Sequence, residues 1–555
     1  MAIEAFRPPL RGTRHMAVAG HYLASLAAYE ILEAGGSAAD AGVAAIMTLA
    51  VVQSDLVNVA GVAPTMILDP KADEIVTIDG LGVWPAAADV DYFRRECDGL
   101  IPPGVRRSIV PGAPSAWIAA LQRYGRMSFA DVARAAIGHA RDGFVMYPNM
   151  AELVTKNRAA YAGWPSSAAI YLPNGEPPAV GQVFRQTDLA ATLQYMADQE
   201  AAAGGGRAAG LQAAHDAFYC GDIARMIADF QQAEDGWLAF DDLAAFRARF
   251  EPPVSAPYGD RTVYACGPWC QGPALLQTLN LLPPAEMARL ADRPADWAHR
   301  IVEALKLAFA DREAHYGDPR FVDVPLDRLL SETYAAEQRR RIDPARAAGA
   351  PDPEPAALAL PRDTSYACVI DSDGMVFSAT PSDTSHDTPV TPGTGLAVSS
   401  RGNQSWTAPD HPSVLAPGKR PRLTPNPAIA VGPDGWRLPF GTPGGDVQIQ
   451  AMVQCFLNVV IRADNVQAAV ERPRFATYSF PDSFDPHLSR EGLLKLERRI
   501  ADDVGRELAA RGHGVDWFDD WDRLAGSVCM IEADAAAGTL TGGADPRRTG
   551  YAAGR

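Results

Sequence analysis

DTSYACVIDSDG, residues 363–374, is the stretch on which the fold turns. SYACVID (365–371) is β-branched, aromatic and apolar, S-D-G (372–374) is a turn, and MVFSAT (375–380) is apolar again. That pattern predicts a β-hairpin. Upstream, Ile342 to Asp363 reads IDPARAAGAPDPEPAALALPRD, with repeated proline, alanine and acid and poor apolar spacing. Such a composition predicts a mobile linker, drawn here as 343–363. A threonine, Thr364, therefore opens a strand directly after a linker.

Outward from this point the two halves differ. Downstream, PAIAV (427–431) and WRLPF (436–440) flank a GPDG turn, and SVCMIEA (527–533) and GTLTGG (538–543) form a third hairpin. Helices are predicted over 446–461 and 489–511. Upstream the pattern is mainly helical: 20–34, then Ala38 to Val51 after the Gly35-Gly36 stop and the Ser37 cap, then 129–141, 187–199 and 294–316. AAAGGGRAAG (201–210) reads as a flexible loop. Hairpins with interspersed helices imply an α+β fold in which helices cover sheets.

The chemistry follows from the Asp363-Thr364 junction. Inside a chain a threonine hydroxyl has no attached base. If the preceding bond breaks, Thr364 gains an α-amine with a pKa of about 7.7–8.0, near the ideal for a general base at neutral pH. One residue then supplies nucleophile and base. FGTPGGDVQ (440–448) follows a predicted strand and leads into a predicted helix. Gly444 and Gly445 would offer backbone N–H groups to an oxyanion at a helix start.

Eight segments, in order, make the chain resemble the gamma-glutamyltransferase family of N-terminal-nucleophile hydrolases: GGSAADAGVAA (35–45), VPGAPSAW (110–117), ARDGF (140–144), ALKLAFADREAHYGDPRFV (304–322), DTSYACVIDSDG (363–374), APGKRP (416–421), GTPGGD (441–446) and GADPRRTGYAAG (543–554). The resemblance implies a four-layer αββα core. It implies autocatalytic cleavage between Asp363 and Thr364 into a large fragment 1–363 and a small fragment 364–555, which stay together as a heterodimer forming one intertwined domain. It makes Thr364 the nucleophile and Gly444 and Gly445 the oxyanion hole. Ser382 takes the place of a second threonine that hydrogen-bonds the nucleophile's amine.

The departures concern the glutamyl pocket. Val90 aligns with an arginine that pairs with the glutamate α-carboxylate, Gln404 with an acid that binds the α-amine, and Leu423 and Thr424 with two tandem serines. Thr384 replaces an asparagine, and CQGP (270–273) replaces S-S-G-G. A site that has lost a charge-assisted carboxylate contact is not expected to select glutamate. In SSRGNQSW (399–406), Arg401 stands where glutamyl enzymes have glutamine, which resembles the branch containing oxamate amidohydrolase. Arg401, Thr384, Gln404 and Thr424 are the expected substrate-binding residues, with Arg401 as an anchor for a carboxylate or other polar group of a small amide. Arg401 in a purely structural ion pair is the alternative.

Other features point to no further chemistry. The 555 residues are 47% hydrophobic, enough for a large core, and the net charge of −17 argues against nonspecific binding to nucleic acid or anionic membrane. The longest apolar run, Gly42 to Val52, is too short to span a bilayer. Seven scattered cysteines and no recognisable signal segment lead us to expect free thiols and a cytoplasmic protein. His386 and His411 fall in a region expected at the site rim, and DTSHDTP (383–389) lacks metal-ligand spacing, so no metal or other cofactor is expected. Lys419 and Arg420 are expected to stabilise the loop that carries the pocket. Three readings stand: an amidohydrolase that is not glutamyl-specific, a gamma-glutamyltransferase or glutathione hydrolase, and a non-catalytic relative that never matures.

Overall fold

The computed structural model describes residues 5–349 and 364–555, so Asp363 and most of the 343–363 linker lie outside the described residues. Two seven-stranded sheets organise the molecule. In one, the strand Ala367–Ile370 pairs with Met16–Ala19 on one side and Val376–Ala379 on the other, all antiparallel. The sheet extends through Tyr551–Gly554 at one end and through Thr65–Asp69, Glu74–Ile78 and Phe250–Glu251 at the other. The second sheet runs Leu10–Gly12, Thr539–Ala544, Cys529–Asp534, Arg437–Gly441, Ala428–Val431, Arg261–Ala265, Val254–Tyr258. Strands from before and after position 364 therefore share both sheets.

Facing side chains join the sheets. Val18, Cys368, Ile370 and Val376 of the first sit in one buried cluster with Ile429, Cys529 and Ile531 of the second. Tyr366 crosses the interface: its hydroxyl meets Ser378 Oγ at 2.6 Å, and Ser378 Oγ donates to the Ala428 carbonyl at 3.1 Å. The other faces are covered by helices. Ala38–Val52 packs on Ala367, Val369 and Phe377, while Gly272–Asn280, Pro294–His315 and Val447–Val460 pack on Ala428, Leu438 and Phe440. Ala38–Val52 is buried along its whole length. It starts at a capping box, in which Ser37 Oγ accepts from the Asp40 N–H and the Asp40 carboxylate accepts from the Ser37 N–H.

The three hairpins form where the turn residues and apolar runs place them. Two other expectations are corrected. Residues 489–511 are not one helix: Leu493–Glu497 is a strand between Phe475–Thr477 and Gly514–Phe518, and the helix is only Asp502–Ala510. Ladder partners on both sides override the local helical spacing. The 201–210 loop is shorter than expected, because one helix runs to Ala202 and the next begins at Arg207. Among the described residues no helix is long and apolar enough to cross a membrane, and all seven cysteines are free thiols.

Gly42 lets the helix Ala38–Val52 approach the sheet, since a Cβ there would lie 2.1 Å from the Phe377 ring. Gly42→Ala is expected to destabilise the protein by about 1–3 kcal/mol, less the small gain in helix propensity. A lowered urea midpoint checks this.

Candidate active site

Thr364 precedes the strand Ala367–Ile370 and is fully buried, with φ at 98°. A β-branched residue there is strained, at a cost of about 1–3 kcal/mol. Its N–H donates to the Leu56 carbonyl at 3.0 Å, and its carbonyl accepts from Arg548 Nη1 at 3.3 Å. Its Oγ1 lies 2.7 Å from Ser382 Oγ. Ser382 was expected to meet the nucleophile's amine; in the uncut chain it meets the hydroxyl instead. Ser382 is fixed by its own backbone, which exchanges hydrogen bonds with Val62.

Arg401 is also fully buried and donates through Nη2 to Ser382 Oγ at 2.7 Å. Its guanidinium lies 5.5 Å from the centre of the Phe484 ring. The same ring is the nearest neighbour that a Cβ on Gly445 would meet. Contacts thus run from Thr364 through Ser382, Arg401 and Phe484 to the glycine pair. Gly444 and Gly445 have φ of 128° and 57°, and the helix Val447–Val460 begins just beyond them. No backbone carbonyl among the described residues accepts from either glycine N–H. Two such donors at a helix start can receive a developing oxyanion.

The remaining expected substrate residues divide. Gln404 and Thr424 come together but bond each other: Gln404 Nε2 donates to Thr424 Oγ1 at 3.0 Å, and the Thr424 N–H donates to Gln404 Oε1 at 3.3 Å. Thr384 is also buried, and among the described residues its Oγ1 has no hydrogen-bond partner. His386 and His411 have partners of their own. His411 stacks on Trp406 and lies 3.4 Å from Glu313, while His386 meets the Tyr161 ring edge. Lys419 donates to the Pro412 carbonyl, and Arg420 pairs with Asp79, Glu251 and Asp318, which anchors that loop as expected. Among the described residues, His299, Glu303 and His513 have metal-ligand spacing. Glu303 is already bonded to Lys306 Nζ and the Ala348 N–H.

Two buried acids escaped sequence reading. Asp383 accepts from Ser399 Oγ at 2.5 Å and from Ser400 N and Oγ at 3.0 and 2.7 Å, tying the loop that carries Arg401 to the one that carries Ser382. Burial pushes its pKa up to about 7, against the pull of these donors, and nearby Asp387 adds to the rise. Asp55, one residue before the Leu56 carbonyl, finds no other side chain to bond its carboxylate among the described residues. Burial pushes it to about 7, against a backbone hydrogen bond, Arg548 and Arg523. Nothing at an isolated aspartate position in the sequence signals burial; only the packed fold does.

A family description, Gamma-glutamyltranspeptidase, matches residues 24–555. The chain is 33% identical to the oxamate amidohydrolase proenzyme of Klebsiella pneumoniae, with 98% of each chain covered. It is 32% identical to the glutathione hydrolase-like YwrD proenzyme of Bacillus subtilis, with 98% of this chain and 99% of that one covered. The crystal structure of cephalosporin acylase from Bacillus halodurans superposes with a TM-score of 0.86 at 27% identity, over 100% of this chain and 98% of that one.

The folded pKa of Asp383 lies above its ordinary value of 3.8, so between about 3.8 and 7 the native state holds a proton that the unfolded chain has released. Its contribution to stability therefore falls as pH rises through that window and levels off above it. Asp383→Asn removes the titration. Relative to wild type, its stability should decline less steeply with pH across the window, by up to about 1.4 kcal/mol per pH unit. Urea unfolding at a series of pH values measures the difference.

Proposed function

Because the chain belongs to the gamma-glutamyltranspeptidase family, whose members are amide hydrolases and acyl transferases, we propose that it is a self-cleaving amidohydrolase with Thr364 as nucleophile. The observation that carries this is the buried 2.7 Å contact between Thr364 Oγ1 and Ser382 Oγ at a strained backbone. The strain favours cleavage before Thr364: once that bond is gone, no carbonyl carbon precedes the nitrogen and the unfavourable φ no longer exists. The fragments are 1–363 and 364–555, and their shared sheets keep them together as a heterodimer. Helices outside two facing sheets support the αββα layering of N-terminal-nucleophile hydrolases.

In the mature enzyme the Thr364 amine accepts the hydroxyl proton as Oγ1 attacks the amide carbon. Ser382 orients Oγ1, and the Gly444 and Gly445 N–H groups receive the oxyanion. Collapse expels the amine, which takes up the proton, and leaves an ester on Thr364. Water, activated by the same α-amine, then hydrolyses the ester and releases the acid.

The substrate we infer is a small amide carrying a carboxylate, held by Arg401 two contacts from the nucleophile. Oxamate has this form, and one relative carries that activity in its name. The Gln404–Thr424 pair argues against a glutamyl pocket, because each satisfies the other inside the core. Free buried thiols support a reducing compartment, the cytoplasm.

Denaturing mass analysis should give two pieces from wild type, the smaller starting at Thr364, and one uncut chain from Thr364→Ala. An uncut wild type that persists on long incubation sinks the proposal and leaves a non-catalytic relative. Oxamate should be turned over faster than a γ-glutamyl anilide; the reverse order would make the protein a glutathione hydrolase. Arg401→Ala should raise KM for oxamate tenfold or more, and unchanged kinetics would remove the anchor.

A further inference from the structure

The glycine turn is held from the far side of the cleavage point. Gln271, almost fully buried, donates from Nε2 to the Gly445 carbonyl at 3.1 Å and to the Thr424 carbonyl at 2.8 Å. Its Oε1 accepts from Arg312 Nη1 at 3.2 Å. Arg312 also pairs with Asp446, the residue after Gly445, and donates to the Pro481 carbonyl at 3.0 Å. Asp446 in turn accepts from Ser483 N and Oγ at 2.7 and 2.6 Å, next to Phe484.

These bonds meet a specific need. A glycine has no side chain to restrict it, so the direction of the Gly445 N–H depends on how the peptide planes on either side are fixed. The plane before Gly445 is held through its Gly444 carbonyl, which accepts from the Val447 N–H at 3.0 Å. The plane after it is held through the Gly445 carbonyl, which accepts from Gln271 and from the Gln448 N–H at 3.2 Å. Arg312 sets the sense of the Gln271 amide. A flipped amide would turn its NH2 group toward the guanidinium and its oxygen toward two carbonyls.

We propose that Gln271 is a positioning residue for the oxyanion hole: the large fragment, through Gln271 oriented by Arg312, holds Gly445 in the conformation that aims its N–H at the reacting carbonyl. The inference rests on the reading of Thr364 as nucleophile and of Gly444 and Gly445 as oxyanion donors. It gives the A-D-R segment around Arg312 a role in the chemistry without contact to substrate. It also makes the small fragment alone insufficient for catalysis, although it carries nucleophile and glycines both.

The test compares mature wild type with Gln271→Met and Gln271→Glu. Methionine keeps the volume and loses both donated bonds. Glutamate keeps the Arg312 contact, and with it the local fold, while placing a carboxylate against two carbonyls. With oxamate, both variants should lose kcat by about tenfold to a hundredfold, less than or comparable to loss of an oxyanion donor, with KM within twofold of wild type. Phenylboronic acid, which forms a tetrahedral adduct on a hydroxyl nucleophile, should bind more weakly by the same factor as the loss in kcat. Unchanged kcat and boronate affinity in a folded variant overturns the inference and leaves the nucleophile reading intact. So does a change confined to melting temperature and KM. Wild type that stays uncut and inactive sinks both.

Discussion

Everything around the site depends on a buried chain of polar contacts, Thr364 to Ser382 to Arg401. A hydroxyl pair and a guanidinium are costly to remove from water unless their partners are fixed. The fold supplies that fixity on each side. Leu56 takes the Thr364 N–H, Val62 holds Ser382, and Asp383 ties down the Ser399-Ser400 loop that delivers Arg401. The strained torsion at Thr364 persists because these neighbours over-determine it.

Asp383 and Asp55 both lie near Thr364 along the backbone contacts, and burial makes each reluctant to ionise. Arg548, which contacts the Thr364 carbonyl, has its pKa lowered to about 10 by the same burial. Cleavage before Thr364 would add an amine to this interior. Near-neutral acids and a nearby guanidinium leave such an amine less biased toward its protonated form than a fixed carboxylate would.

The two sides of position 364 contribute unequal parts. Thr364, the proposed nucleophile, is followed by Ser382, Arg401 and the glycine turn; the sheet strands Met16–Ala19 and Thr65–Asp69 and the Gln271–Arg312 grip precede it.

Much of this was legible in the sequence because it is local. Turn residues between β-rich runs determined three hairpins, Ser37 followed by Asp40 determined a helix start, and Gly444-Gly445 marked a turn before an apolar helix. Residues 489–511 misled because the strand Leu493–Glu497 owes its state to ladders from both sides, which local spacing does not encode. Arg401, Gln404 and Thr424 could be named from the sequence, but not the partners they choose: Arg401 reaches Ser382, whereas Gln404 and Thr424 satisfy each other. Gln271, Asp383 and Asp55 carry no local signal at all. Their character comes from being enclosed among groups hundreds of residues away in some cases, and desolvation is a property of the packed interior, not of the chain that folds into it.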